Sequence, residues 1–319
     1  MKKKGAILLV ILCFLASCTH TNVKPVMKSM PFIASVNLKD HTLTFLNADT
    51  LKKSVTWKID TFATGACLLP DKDHLAIFGK TMDHIQIFSL SQGKLVDKWD
   101  TGQGIVFMSI LKDRNRIGVI DQHTNTIRIL SLNGELLKRQ EVGNQPISFL
   151  ERGGNLYVIN FNDQKISILD TKTLKVLDEM PVGRYSTGIM TSKDGKTLWL
   201  GGHGEGNKVE EDIHLYSLET KKLVKKLHAP SMPVKFLTIY QSVFIISHGS
   251  STIYKWQTGN QSLQSLKVGI NPFEIGKSKD YIVVASYDDD RIYIIEPEPL
   301  SIKKVVKTGK GPFQLVIRE

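Results

Sequence analysis

A paragraph of about forty residues recurs along the whole chain, and that period constrains the fold more than any single motif does. Its clearest copy spans residues 155–183, NLYVINFNDQKISILDTKTLKVLDEMPVG. Residues 156–160, 165–169 and 174–182 are short runs rich in β-branched and aromatic side chains, and the polar stretches 161–164 and 170–173 separate them. Runs of that length bounded by turn residues read as strands joined by hairpins. The first run returns seven times: FIASVN at 32–37, LAIFG at 75–79, IGVID at 117–121, LYVIN at 156–160, LWLGG at 198–202, VFIIS at 243–247 and IVVAS at 282–286. Two further strands follow each copy, and one more, such as QPISFL at 145–150, precedes the next. Four strands in about forty residues is the period of a propeller blade.

The two ends of the repeat set its closure. The first copy has no innermost strand before it, and the chain finishes on an orphan, PFQLVIR at 312–318. The expectation is an all-β, seven-bladed propeller over residues 31–319 with four-stranded blades, the C-terminal strand completing the first blade. Such closure removes the exposed sheet edges that invite aggregation.

The repeat unit resembles the YVTN family of β-propeller repeats. The resemblance rests on Leu156-Tyr157-Val158-Ile159-Asn160, on Lys165-Ile166-Ser167-Ile168-Leu169-Asp170-Thr171, on Lys175-Val176 through Val182-Gly183, and on the Ser192-Lys193-Asp194-Gly195-Lys196-Thr197-Leu198 approach to blade 5. It implies an exported or surface-attached propeller, in a family interpreted mostly as binding or interaction modules, with DNA binding suggested for some members. A scaffold that hosts many unrelated activities speaks for fold before function.

The N-terminus reads as an address. Lys2, Lys3 and Lys4 precede the apolar run 6–15, which is too short to span a bilayer permanently and fits the core of a signal peptide, residues 1–17. It ends in Leu15-Ala16-Ser17-Cys18, which looks like a bacterial lipobox with Cys18 as the lipidated residue. Two or more acyl chains anchor a protein stably. Residues 18–30 are polar and are expected to form a tether, placing the propeller on the extracytoplasmic side of a membrane. Of the three cysteines, processing leaves Cys18 for lipid and Cys67 in an apolar run, where it reads as a structural thiol rather than a nucleophile.

The chain holds 42 basic and 31 acidic residues, and loss of the three signal lysines leaves 39 against 31, a formal +8. That balance favours anionic neighbours. The basic residues are scattered through every repeat, however, so nucleic acid is a weaker expectation than a protein or envelope-polymer partner.

In a propeller the loop after each blade's second strand and the loop joining successive blades open on the face around the channel, the default ligand site. The candidate binding residues there are Asp121, Phe161, Arg184, Tyr185, His203, His248 and Tyr287, with Asn37, Lys80, Gln122, Asn271 and Lys310 on the same loops. Blade 5 departs most from its siblings through the longer loop at 201–212, and insertions in one repeat often mark a binding face. A metal set would need His203, His248 and Glu205; a plain loop insertion is preferred, and no metal or cofactor is expected. No HExxH, C-x-x-C-H or G-x-S-x-G motif is present. The leading reading is a monomeric, non-enzymatic interaction module. The alternatives are a propeller lactonase-like hydrolase, with His203, His248, Glu205 and Asp121 as its possible machinery, and a polyanion or nucleic-acid binder.

Overall fold

The computed structural model describes residues 22–59, 61–257 and 263–319; the expected signal segment and Cys18 lie outside them. Seven four-stranded antiparallel sheets follow one another around the ring, and six of them are meanders that start beside the central axis and end at the rim. The burial of the strands explains their composition. In blade 4 the second and third strands, Asn155–Asn160 and Lys165–Asp170, are buried through their centres, whereas the outermost, Val176–Pro181, is exposed at five of its six positions. A blade packed on both faces requires apolar residues at consecutive positions, and an outer edge does not. Hence LYVIN reads as a continuous apolar run.

The C-terminal strand Pro312–Arg318 pairs antiparallel with Phe32–Asn37, in the register Phe32↔Arg318 and Ile33↔Ile317, and becomes the innermost strand of blade 1. Arg318 locks this seam. Only 3% exposed, it donates to the carbonyls of Met27, Met30 and Lys72 and lies 4.6 Å from the centre of the Phe32 ring. Burial pulls its guanidinium below the ordinary arginine pKa.

The seam also changes the expected tether. Its described part, from Asn22 onward, is strapped to the propeller: Val23 N donates to Gly93 O and Val26 N to Leu90 O, both at 2.8 Å, and Trp57 Nε1 donates to Lys24 O at 2.8 Å. Val26 and Met30 are 2% and 7% exposed within the core of blades 1 and 2. Two apolar anchors among polar neighbours were enough to dock a segment that has no strand period.

Aromatic wedges fill the clefts between blades. Trp57 joins Phe45 and Phe88, at 4.7 and 5.8 Å between ring centroids, and Trp199 meets Trp256 edge-on at 5.2 Å across blades 5 and 6. Each fully buried side chain of this size stabilises by about 1.5–3 kcal/mol. Cys67 lies in blade 2's innermost strand, Gly65–Leu68, where burial pushes its thiol up to about 12 and keeps it protonated.

One irregularity recurs near the channel mouth. The innermost strand carries a bulge in blades 3 to 7 and again in blade 1, leaving Val106, Ile147, Thr187, Val234, Phe273 and Phe313 without a partner in the register. A bulge re-aims one side chain out of the alternating pattern. In blades 7 and 1 that side chain is a phenylalanine.

Candidate functional site

The mouth is built in two tiers. The lower tier is the polar residue that ends the second strand in five of the seven blades: Asn37, Asp121, Asn160, Ser247 and Ser286 are all at most 2% exposed. Asn37, Asp121 and Asn160 bond across the turn that follows them, and the two serines bond to the preceding inter-blade loop. Asn37 Nδ2 donates to Thr42 and Thr44 Oγ1, Asn160 Nδ2 to Ser167 Oγ, Ser247 Oγ to Ala229 O and Ser286 Oγ to Ile270 O, at 2.9–3.0 Å. Asp121 belongs to this tier and corrects an expectation. Instead of facing a ligand, its carboxylate accepts from His123 N at 2.8 Å, Thr124 Oγ1 at 2.7 Å and the Arg128 guanidinium, and it is fully buried. A buried carboxylate needs that many partners to remain charged.

The upper tier lies one residue further on, and there the expected positions do gather. Backbone bonds tie each of these residues to the preceding inter-blade loop: Phe161 N to Gln145 O, His203 N to Tyr185 O, His248 N to Met232 O and Tyr287 N to Asn271 O, at 2.9–3.2 Å. Tyr185 sits in the left-handed region at φ 59°, which a residue of its size rarely adopts, and its ring meets Phe161 at 5.1 Å. From there the rings run on without a break. Phe161 meets His203 at 6.3 Å, His203 meets His248 at 4.9 Å, and His248 meets Phe273 at 4.9 Å. Phe273 then meets Tyr287 at 5.6 Å and Phe313 at 5.2 Å. The result is an aromatic crescent reaching from blade 4 to blade 1.

A polar relay orients its centre. Lys39 Nζ, 4.3 Å from the centre of the Tyr287 ring, donates to Asp288 Oδ1 at 2.8 Å, and Asp288 Oδ2 accepts from Asn271 Nδ2 at 3.0 Å. The Lys39 hydrogen bond, with the one donated by Asn271 Nδ2, holds the Asp288 carboxyl below the usual carboxylate range; the same Asp288 contact raises the Lys39 ammonium. With its amide nitrogen on Asp288, Asn271 presents Oδ1 to His248 Nδ1 at 2.6 Å, so Nδ1 carries the proton. His248 Nε2, on the far side of the ring, is shut from solvent with no hydrogen-bond partner among the described residues. His203 Nδ1 is likewise buried and unpartnered. Desolvation, and secondarily the neighbouring His248, pulls the His203 pKa below its ordinary 6.5, so its ring is neutral at pH 7.

The remaining expected residues divide. Arg184 lies beside the crescent and pairs with Glu205 at 3.4 Å, both well exposed. Glu205 is on a two-residue hairpin, Gly204–Glu205 against Lys208–Val209, into which the blade 5 insertion folds. His203 and His248 therefore come together while Glu205 turns to Arg184. In the acidic run after Tyr287, Asp289 accepts from the Tyr293 hydroxyl at 2.6 Å and Asp290 from Gly311 N at 2.8 Å. Sequence reasoning missed Phe273 and Phe313. Their signal was the Pro-Phe pair opening each of those innermost strands, at the position where other copies carry Ile147 or Val234. Away from the mouth, a cleft of about 360 Å³ lined in part by Pro70, Trp99 and Leu132 opens on the outer side of blades 2 and 3.

No family model matches the chain, and no curated protein matches it. Solved structures do. The chain is similar to a functionally unknown protein from Desulfotomaculum acetoxidans, at TM-score 0.73 and 10% identity over 90% of this chain and 99% of that one. It is also similar to the dihydro-heme d1 dehydrogenase NirN in complex with DHE, at TM-score 0.63 and 11% identity over 90% and 76%. A third likeness is to the Cps50 (Swd1) β-propeller domain of Myceliophteria thermophila, at 0.62 and 13% over 78% and 87%. At these identities the likeness shows the propeller fold.

Proposed function

We propose that this chain is a lipid-anchored, extracytoplasmic binding module whose channel mouth seats a flat, apolar-faced group of a protein or cell-envelope ligand. The observation that carries the reading is the crescent, a continuous series of rings with two buried, unpartnered imidazole nitrogens at its centre. Aromatic faces and edges favour offset-stacked or edge-on partners. Unpartnered ring nitrogens favour a ligand that brings hydrogen-bonding groups to them, because a buried polar atom without a partner is costly. The hydrolase alternative has less support, since Glu205 is engaged by Arg184 and Asp121 by Arg128 and Thr124.

The anchoring half of the proposal rests on the segment ending at Cys18. Replacing Cys18 with Ala is expected to abolish fatty-acid incorporation and shift the protein from the membrane to the soluble fraction; unchanged partitioning overturns the anchor. The binding half is tested by saturation-transfer NMR with aromatic probes (phenols, indoles, tyrosyl peptides) and with envelope-polymer fragments. Binding lost in the Phe273→Ala/His203→Ala double variant supports the mouth. A bound probe that is indifferent to this variant, or a panel with no binder, overturns it.

A further inference from the structure

We infer that blade 5 holds a site for one divalent transition-metal ion of the Zn2+ class, formed by Glu210, Asp212 and His214. Asp212 and His214 alternate along the strand Asp212–Ser217 and so project from one face, the face that carries Tyr216 into the packing against blade 4. Glu210 ends the blade 5 insertion and is fixed over that face because Asp212 N donates to Glu210 Oε1 at 3.0 Å. One ligand atom from each residue lies within 4.8 Å of the others, and His214 Nε2 is 3.6 Å from Glu210 Oε1. Around a tetrahedral ion with bonds of about 2.0–2.2 Å, neighbouring ligand atoms sit about 3.4 Å apart. Small side-chain rotations convert one arrangement into the other.

The ion pairs within the cluster leave one group unmet. His214 is 18% exposed, and its Nε2 is shut from solvent without a hydrogen bond among the described residues although it faces a carboxylate. A metal ion gives that nitrogen its partner and neutralises both carboxylates at once. The outermost strand supplies a further donor: His228 is cross-strand from Asp212, with Nδ1 at 3.3 Å from Asp212 Oδ1, and its 65% exposure lets it turn inward as a fourth ligand. Lys226 Nζ, 4.0 Å from Asp212, is the cation that an ion displaces. A set of two carboxylates with one or two imidazoles suits Zn2+ and its neighbours better than Ca2+ or Mg2+, which take oxygen ligands.

The placement gives occupancy a consequence at the mouth. Glu210 N donates to His203 O at 3.1 Å, and Met232 N donates to Glu210 O at 2.7 Å. An ion on the Glu210 carboxylate therefore fixes the foot of the hairpin that borders His203. The metal site stands independently of what the crescent binds, and the two are tested separately.

The experiment takes the chelator-treated mature chain and titrates Zn2+ in competition with a chromophoric chelator, following thermal stability in parallel. Wild type is expected to take up one equivalent and to gain thermal stability with Zn2+. Glu210→Gln, which preserves shape, and His214→Ala are each expected to lose at least about 100-fold in affinity, beyond the 10–100-fold that a merely supporting residue commands. Glu210→Gln should melt like metal-free wild type and gain nothing from Zn2+, which separates lost ligation from lost folding. The His203→Ala/His248→Ala double variant should bind as wild type does. The inference is overturned if wild type takes up no stoichiometric ion, if Glu210→Gln and His214→Ala bind normally, or if the mouth double variant loses the ion.

Discussion

The two sides of the channel mouth share one strand plan and differ in chemistry. On the side of blades 4 to 7 the residue after the second strand is Phe161, His203, His248 or Tyr287, and the bulges of blades 7 and 1 add Phe273 and Phe313. On the side of blades 2 and 3 the corresponding rim carries Lys80 and Gln122, and the blade 3 bulge holds Val106. Beneath both sides runs the same buried polar tier, Ser247 and Ser286 below the crescent and Asp121 below Gln122. One step along the strand thus separates two kinds of residue. The polar side chain at the strand's end holds a neighbouring loop or turn, and the next residue borders the channel mouth.

The largest expected effect breaks the scaffold on the quiet side. Asp121→Ala leaves the half-buried Arg128 guanidinium without its carboxylate and strips Thr124 and His123 of an acceptor. Breaking such a buried pair costs about 3–5 kcal/mol, read as a lower urea midpoint. Affinity at the crescent, referred to the folded fraction, should not move. A loss below about 1 kcal/mol, the range of an exposed pair, or a selective loss of binding, makes Asp121 a ligand residue after all.

That distinction marks where the sequence was legible. The repeat period, the seven copies and the orphan 312–318 specify the ring, because burial on both faces forces the same apolar run into each blade. The crescent was readable in part: Phe161, Tyr185, His203, His248 and Tyr287 follow from loop position alone. Phe273 and Phe313 were not, because a bulge moves a residue from the strand pattern into the mouth, and register shifts leave no signature in hydrophobic periodicity. Asp121 misled because polar residues at a strand's end serve a turn as readily as a ligand, and only the partners decide. The Glu210, Asp212 and His214 cluster was hidden for a related reason: its spacing in sequence is that of any exposed strand, and its meaning depends on the loop folding Glu210 back over it.

The second expected effect is on the active side. Phe273 contacts His248, Tyr287 and Phe313, so Phe273→Ala splits the crescent in two. Aromatic pairs contribute about 0.5–1.5 kcal/mol each, so a ligand that spans the gap should bind about tenfold more weakly. Stability should change less than in Asp121→Ala, because Phe273 is only partly buried. Titration calorimetry with the probe that binds wild type checks both points, and unchanged affinity would place the ligand elsewhere.

A third, smaller effect depends on pH. Burial first and His248 second lower the pKa of His203 from 6.5, so the native state takes up this proton less readily than the unfolded chain. As pH falls below about 6.5 the unfolded state binds more protons, and stability declines until the folded value is passed; above that window the group contributes nothing. His203→Asn should therefore flatten part of the acid limb of the stability curve measured between about pH 7 and pH 5. Ligand affinity in wild type should hold through that window and weaken only at lower pH, where the folded His203 ring itself takes up the proton. A variant that keeps the wild-type slope rules out His203 as its source.

The smallest effect sharpens the comparison from the opposite side. Gln122 is the counterpart of His203 and Tyr287 at the rim, and its backbone N donates to Gly104 O at 2.8 Å, a bond that Ala retains. Lys80 is exposed beside it on blade 2. If rim position alone made a residue functional, Lys80→Ala and Gln122→Ala would weaken binding as much as changes at His203. If the crescent is the site, both variants should bind within about twofold of wild type and shift stability by no more than about 0.5 kcal/mol, the range of ordinary surface substitutions. A strong loss at Lys80 that fades with rising salt would instead turn the quiet side into the docking surface for an anionic polymer, since such contacts weaken as counterions compete.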